Sequence, residues 1–180
     1  MEDVDQWLQA HRHDCSEISP ELKGAIAEFV LVWSFFEFTV LRPADQRLLT
    51  DGTNTPTGVD RDNYDLIEDA SLRGLADFTG SQAFQDAYAY HRGRYYDGVQ
   101  FSDHLKGLAN ESGKSNGRIR DVFQNNTPPH HVKIAGLLHV AYCLRSNLIH
   151  GFKWETGLAG QETNLQHATQ VLMLAIDNPA

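Results

Sequence analysis

Apolar residues recur at three- and four-residue intervals along most of this chain, a period that predicts helices rather than strands. The clearest start signal is Ser19-Pro20-Glu21-Leu22. It offers a capping serine, a proline at the first helical position, where the missing N–H is no loss, and an acid in the first turn. Apolar residues then run through Leu41. Ile26, Phe29, Val30, Val32, Trp33, Phe35, Phe36, Phe38 and Val40 cover nearly the whole circumference, which predicts a central helix enclosed by neighbours or by a second subunit.

Pro43 and the polar run from Asp51 to Gly58 break the pattern, predicting an irregular loop over about 43–62. Segments Tyr64–Phe78 and Ser81–Tyr96 regain helical spacing and predict a hairpin broken near Gly80. Asn, Ser, Gly and Pro dominate the next stretch, so a second long loop is expected over about 109–129, with a short helical turn near Ile119–Phe123. From His130 a stripe of Ile134, Leu137, Leu138, Ala141, Leu144 and Leu148 predicts a long helix, with Gly151 placed for a left-handed C-cap. A last helix is expected over about Gln161 to Ile176. There is no strand-like alternation and no internal repeat. The pattern predicts one all-α domain spanning 1–180, an up-and-down bundle of about five to six helices.

Composition agrees with a single globular domain: 180 residues, 41% hydrophobic and 22% charged. No basic leader with an apolar core opens the chain. The longest apolar stretch, near Ala25 to Leu41, is interrupted by Glu28, Ser34 and Glu37, so a soluble cytoplasmic protein with no membrane segment is expected. Cys15 and Cys143 are far apart and lack metal-ligand spacing, which predicts free thiols. A net charge of −9 argues against a protein that coats nucleic acid indiscriminately. The charge is uneven, however. Residues 1–100 carry 18 acids and 8 bases (net −10), whereas 101–180 carry 6 and 7 (net +1) with six of the nine histidines, leaving room for a local phosphate site.

The segment Tyr142-Cys143-Leu144-Arg145-Ser146-Asn147-Leu148-Ile149-His150-Gly151-Phe152-Lys153 is the strongest chemical signal. An arginine presents a fork of donors to phosphate, and a histidine moves a proton near neutral pH. At about 100° per residue, Arg145 falls on the Ile134/Leu138/Ala141 stripe, whereas His150 lies about 140° away. A charge on that stripe needs a carboxylate, a cleft or a subunit interface. Glu37, isolated among apolar residues, is either that carboxylate, a third active-site group, or simply exposed. Ser146 and Asn147 share the His150 face and are placed to orient the imidazole or hold phosphate. The carbonyls of a last helical turn favour protonated His150, as a general acid requires.

Taken as Tyr-x-x-Arg-x-Asn-Leu-x-His-Gly-x-Lys, this segment resembles the hallmark of the HEPN superfamily, an arginine followed four to six residues later by a histidine at a helix end. The resemblance covers the whole chain as a small all-α domain with the motif on its penultimate long helix. It implies a metal-independent endoribonuclease with no cofactor, acting as a homodimer whose two Arg/His pairs share one cleft. It further implies a toxin or anti-phage defence setting, with an antitoxin or defence-system protein as a partner. In that frame His150 is the acid/base for attack of the RNA 2′-hydroxyl, and Arg145 holds the scissile phosphate. Ser146, Asn147, Tyr142 and Glu37 would support them, with Lys153 on the RNA backbone. One departure stands out: many relatives carry the polar residue immediately after the arginine, whereas here Ser146 comes first and Asn147 second.

Weaker signals carry two readings each. His91-Arg92-Gly93-Arg94-Tyr95-Tyr96 mixes charge with aromatic faces, so Arg92 and Arg94 are either RNA contacts or a solvated helix end. Lys114, Arg118 and Arg120 likewise serve phosphate or solubility. Asp60, Asp62 and Asp65 lack the glycine and distal glutamate of a calcium loop and read as helix caps. Adjacent His130 and His131 diverge on a helix, so no metal site is assigned. Three classes stay open: an endoribonuclease, a catalytically inactive HEPN-type module for RNA or nucleotide binding or for assembly, and a helical bundle unrelated to RNA.

Overall fold

A computed structural model describes residues 18–42, 44, 63–110, 112–149 and 160–180. Among these residues there are seven helices and no strand. Helix α1 (Pro20–Phe36) runs on into a wider π-type turn (Glu37–Leu41), and α2 (Asn63–Asp69) continues similarly through Ala70–Gly74. They are followed by α3 (Gln82–Tyr95), α4 (Asp103–Leu108), α5 (Lys114–Gln124), α6 (His130–Ile149) and α7 (Glu162–Asp177). The result is an all-α bundle.

Start signals in the sequence are realised as local hydrogen bonds. Ser19 Oγ accepts from the Leu22 amide at 3.1 Å, closing the first turn of α1. Ser81 does the same for Phe84 at 3.3 Å, which fixes the start of α3. The first arm of the expected hairpin stops at Gly74 rather than at Phe78. Beyond Gly74 the chain is extended, and the C-terminus lies alongside it: Ala76 N–H donates to Asn178 O at 3.0 Å and Ala180 N–H to Gly74 O at 3.1 Å.

The expected loop over 109–129 is corrected more substantially, because it contains the eleven-residue helix α5. Gly117 and Asn116 lower its helix propensity, but Ile119, Val122 and Phe123 are fully buried on one face, and that burial outweighs propensity. Helix α4 was not anticipated either, so the helix number exceeds the five to six expected. The loop expected over 43–62 lies outside the described residues except for buried Ala44.

Centrality is corrected too. Helix α7 packs along α1 and also meets α3 and α6, while α6 is covered by α5, α7 and α2. Every residue of α6 from Ile134 to Ala141 is buried. Helix α1 instead buries Leu22, Ala25, Phe29, Trp33 and Phe36 while leaving Leu31 71% and Phe35 57% exposed, as is Phe38 (60%) in the π-type turn that follows. It is therefore a flanking helix with an apolar outer stripe. By length and composition, Pro20–Leu41 is long and apolar enough to cross a membrane, but its inner face belongs to the bundle core.

Close approach of α5 and α6 depends on Gly136. A Cβ at that position would lie 2.7 Å from Val122 Cγ2, nearer than side chains tolerate. Gly136→Ala should therefore lower stability by about 1–3 kcal/mol despite alanine's better helix propensity, read as a lower urea midpoint.

A second constraint sits between α3 and α7. His91 is buried, stacks on Tyr95 with ring centroids 6.0 Å apart, and has no hydrogen-bond partner on either ring nitrogen among the described residues. Burial, aided by the charges of His167 and Arg94, pushes its pKa down to about 3, so it folds as neutral imidazole. Stability from this site is complete above the ordinary histidine value of 6.5. As pH falls below that value it is lost by up to about 1.4 kcal/mol per unit, down to the folded pKa. His91→Phe should flatten the stability profile between pH 6 and 4, measured by denaturant titration at each pH.

Candidate functional site

Arg145 enters the last turns of α6 from an otherwise apolar stripe, and the structure supplies the carboxylate that this placement demands. Its Nη2 lies 3.6 Å from Glu37 Oε1, the first residue of the π-type turn that ends α1. Charge-assisted hydrogen bonds are usually about 2.7–2.9 Å, so this pair is loosely held. The Nε of Arg145 is buried without a partner among the described residues. Both side chains retain partial exposure, 26% for Arg145 and 39% for Glu37. Of the alternatives for Glu37, the arrangement supports ion pairing.

On its other side, α6 borders a cavity of about 510 Å³. Tyr142, Cys143, Ser146 and Asn147 line it from α6, Lys106 and Leu108 from α4, and Lys114 and Ser115 from α5. Tyr142 also packs on Trp33 of α1, ring centroids 6.3 Å apart, and so bridges the cavity and the bundle core. Asn147 does not point an idle amide at the cavity. Its Nδ2 donates to Leu108 O at 2.9 Å and tethers the end of α4. Cys143 is a buried free thiol, and burial pushes its pKa up to about 12 although a hydrogen bond with Ser115 acts in the opposite direction. It is therefore a packing residue rather than a nucleophile.

Below the cavity lies a polar chain that sequence reasoning missed. Ser115 Oγ is 3.2 Å from His139 Nδ1, and His139 Nε2 is 3.0 Å from Glu68 Oε1. Arg118 grips the same carboxylate through two bonds, Nε to Oε1 at 2.8 Å and Nη2 to Oε2 at 2.6 Å. Tyr64 stacks on the His139 ring with centroids 4.7 Å apart. Burial works to raise the Glu68 pKa, but the bonds and charges of His139 and Arg118 together outweigh it and hold the carboxyl below its ordinary value. An ionised Glu68 accepts the Nε2 proton of His139, and in the neutral ring Nδ1 is then the nitrogen that accepts from the Ser115 hydroxyl. The available sequence signal was a histidine inside the most apolar stretch of α6, since such a residue demands a buried partner.

The remaining expectations divide. Arg92 Nε donates to Phe123 O at 3.0 Å, and its guanidinium lies over the Tyr96 ring at 5.4 Å, so it secures the end of α5. Arg94 buries its Nε beside the His91/Tyr95 stack. Arg118 binds Glu68, and Arg120 donates to Asn116 Oδ1 at 2.6 Å while covering Phe101, so these two arginines are engaged within the fold. Asp65 sits 4.0 Å from Lys114 Nζ. Rings of His130 and His131 stand at 86° to one another, and no group of metal-ligating side chains occurs among the described residues. His150, Gly151 and Lys153 lie outside the described residues. The structure thus brings Arg145 to Glu37 and gathers Tyr142, Ser146 and Asn147 on the cavity.

No protein-family model, curated protein or solved structure matches this chain.

The Glu68 contribution to stability is complete above the ordinary carboxyl value of 4.5 and is lost as pH falls through the lower folded value. Glu68→Gln should cost about 2 kcal/mol at neutral pH, and the deficit relative to the native sequence should shrink on acidification below 4.5. Urea denaturation across that range measures both effects.

Proposed function

We propose that this protein is a metal-independent endoribonuclease of the HEPN type, soluble and cytoplasmic, acting as a homodimer in a toxin or defence setting alongside an antitoxin or defence-system partner. The observation that carries the reading is Arg145 itself: a guanidinium on the last turns of a buried helix, paired among the described residues with the Glu37 carboxylate at 3.6 Å. A phosphate oxygen can replace so loose a partner and gain two parallel donors. His150, five residues on, then acts as the acid/base for attack of the RNA 2′-hydroxyl on its own phosphate, and Arg145 offsets charge in the transition state.

Support for the dimer comes from α1. Val30, Leu31, Phe35 and Phe38 form an exposed apolar stripe, and Glu37, the partner of Arg145, adjoins Phe38 in the chain. Pairing two copies along this stripe would cover the apolar surface and bring two Arg145/Glu37 pairs to one seam. A second reading, an inactive module that binds RNA or nucleotide, is favoured by the same ion pair if Glu37 permanently neutralises Arg145.

The test is cleavage of several RNAs in EDTA. Products should end in 2′,3′-cyclic phosphate, and Arg145→Ala or His150→Ala should lower the rate about 10²-fold or more with the dimer intact by sedimentation. Leu31→Asp should dissociate the dimer and abolish cleavage together. Uncut RNA at high protein concentration, with binding retained, would support the inactive module; no binding at all would remove the RNA reading.

A further inference from the structure

Ser115 lines the 510 Å³ cavity, and behind it His139 and Glu68 continue in series, at 3.2 Å and 3.0 Å. They come from α5, α6 and α2, so only the fold assembles them. Their order is that of a nucleophile, a base and an orienting carboxylate. The ring nitrogens exchange their usual roles, Nδ1 meeting the serine and Nε2 the carboxylate, which leaves the chemistry unaltered because either nitrogen can carry the proton. We propose that this cavity is a second active site, in which Ser115 is the nucleophile for hydrolysis of small carboxylic esters.

Three further features fit that role. Ser115 lines the cavity, whereas His139 is completely buried behind it, so a ligand meets the hydroxyl first. Ser115 lies in the first turn of α5, where backbone N–H groups have no intrahelical acceptor and face developing negative charge favourably. Leu108, Ala109 and Tyr142 give the cavity an apolar wall for a short acyl chain, and its volume falls within the roughly 300–1,000 Å³ of small-molecule sites.

In the reaction, Ser115 Oγ bonds to the ester carbonyl carbon while its proton passes to Nδ1 of His139, whose Nε2–H is held by Glu68. Collapse of the tetrahedral adduct breaks the carbon–alkoxy bond, and the proton on Nδ1 leaves with the alcohol. Water then attacks acyl-Ser115 by the same route, releasing the carboxylic acid and restoring the hydroxyl.

Full-length protein is incubated with a fluorophosphonate probe and, separately, with p-nitrophenyl acetate. The expected result is one probe adduct, located by peptide mass on Ser115, and p-nitrophenolate release that Ser115→Ala abolishes while retaining its helical circular dichroism. Glu68→Gln should slow labelling roughly 10²-fold. Absence of an adduct on Ser115 in folded protein, an adduct on another residue, or equal release by the Ser115→Ala variant overturns the proposal. Should Ser115→Ala fail to fold, the mapped adduct on the unsubstituted chain decides. The readout contains no RNA, so the absence of ribonuclease activity leaves it unaffected.

Discussion

Helix α6 is enclosed around most of its circumference, and the polar side chains that it carries inward reach partners on neighbouring elements, closely for His139 and Asn147 and loosely for Arg145. His139 is matched by Glu68 and Ser115, Asn147 by the carbonyl of Leu108, and Arg145 by Glu37. These matches do more than satisfy α6. They set the positions of α2, α5, the end of α4 and the end of α1 relative to it. An apolar helix could slide or rotate among greasy neighbours at little cost, whereas one studded with obligatory polar contacts has a single acceptable seating.

Glu68 illustrates the arrangement. A single carboxylate receives His139 from α6 and the forked guanidinium of Arg118 from α5. The cavity above it is lined by α4, α5 and α6 as those contacts hold them, and Gly136 permits the approach of α5 to α6. Packing and polar chemistry are therefore one constraint seen from two sides: the methyl groups of Val122 occupy the space that Gly136 leaves, and the chain Ser115–His139–Glu68 forms at the same interface.

Arg145 and the outer stripe of α1 form the other coherent region. The arginine interrupts an apolar face, and its partner stands where α1 widens into a π-type turn, a distortion frequent at functional sites. Beside it, Leu31, Phe35 and Phe38 are exposed, and Arg42 lies over the Phe38 ring at 5.5 Å. An under-matched cation and an uncovered apolar stripe on adjoining elements give the proposed dimeric function its physical basis.

Periodicity in the sequence was sufficient for the all-α class, for the capped start at Ser19, for α6 and for α7, because amphipathic spacing and capping chemistry are local properties. Placement of Arg145 on the apolar stripe likewise foretold its need for a carboxylate, and Glu37 was among the candidates. Helix α5 was not legible, since its glycine and asparagine residues read as loop until burial of Ile119, Val122 and Phe123 overrode them. Enclosure of α1 could not be decided from spacing either, as a helix apolar all round looks the same whether a neighbour or a second copy covers it. Only the tertiary structure joined Ser115, His139 and Glu68, because residues 24 and 71 positions apart become neighbours through packing, and no local pattern encodes which buried histidine will meet which carboxylate.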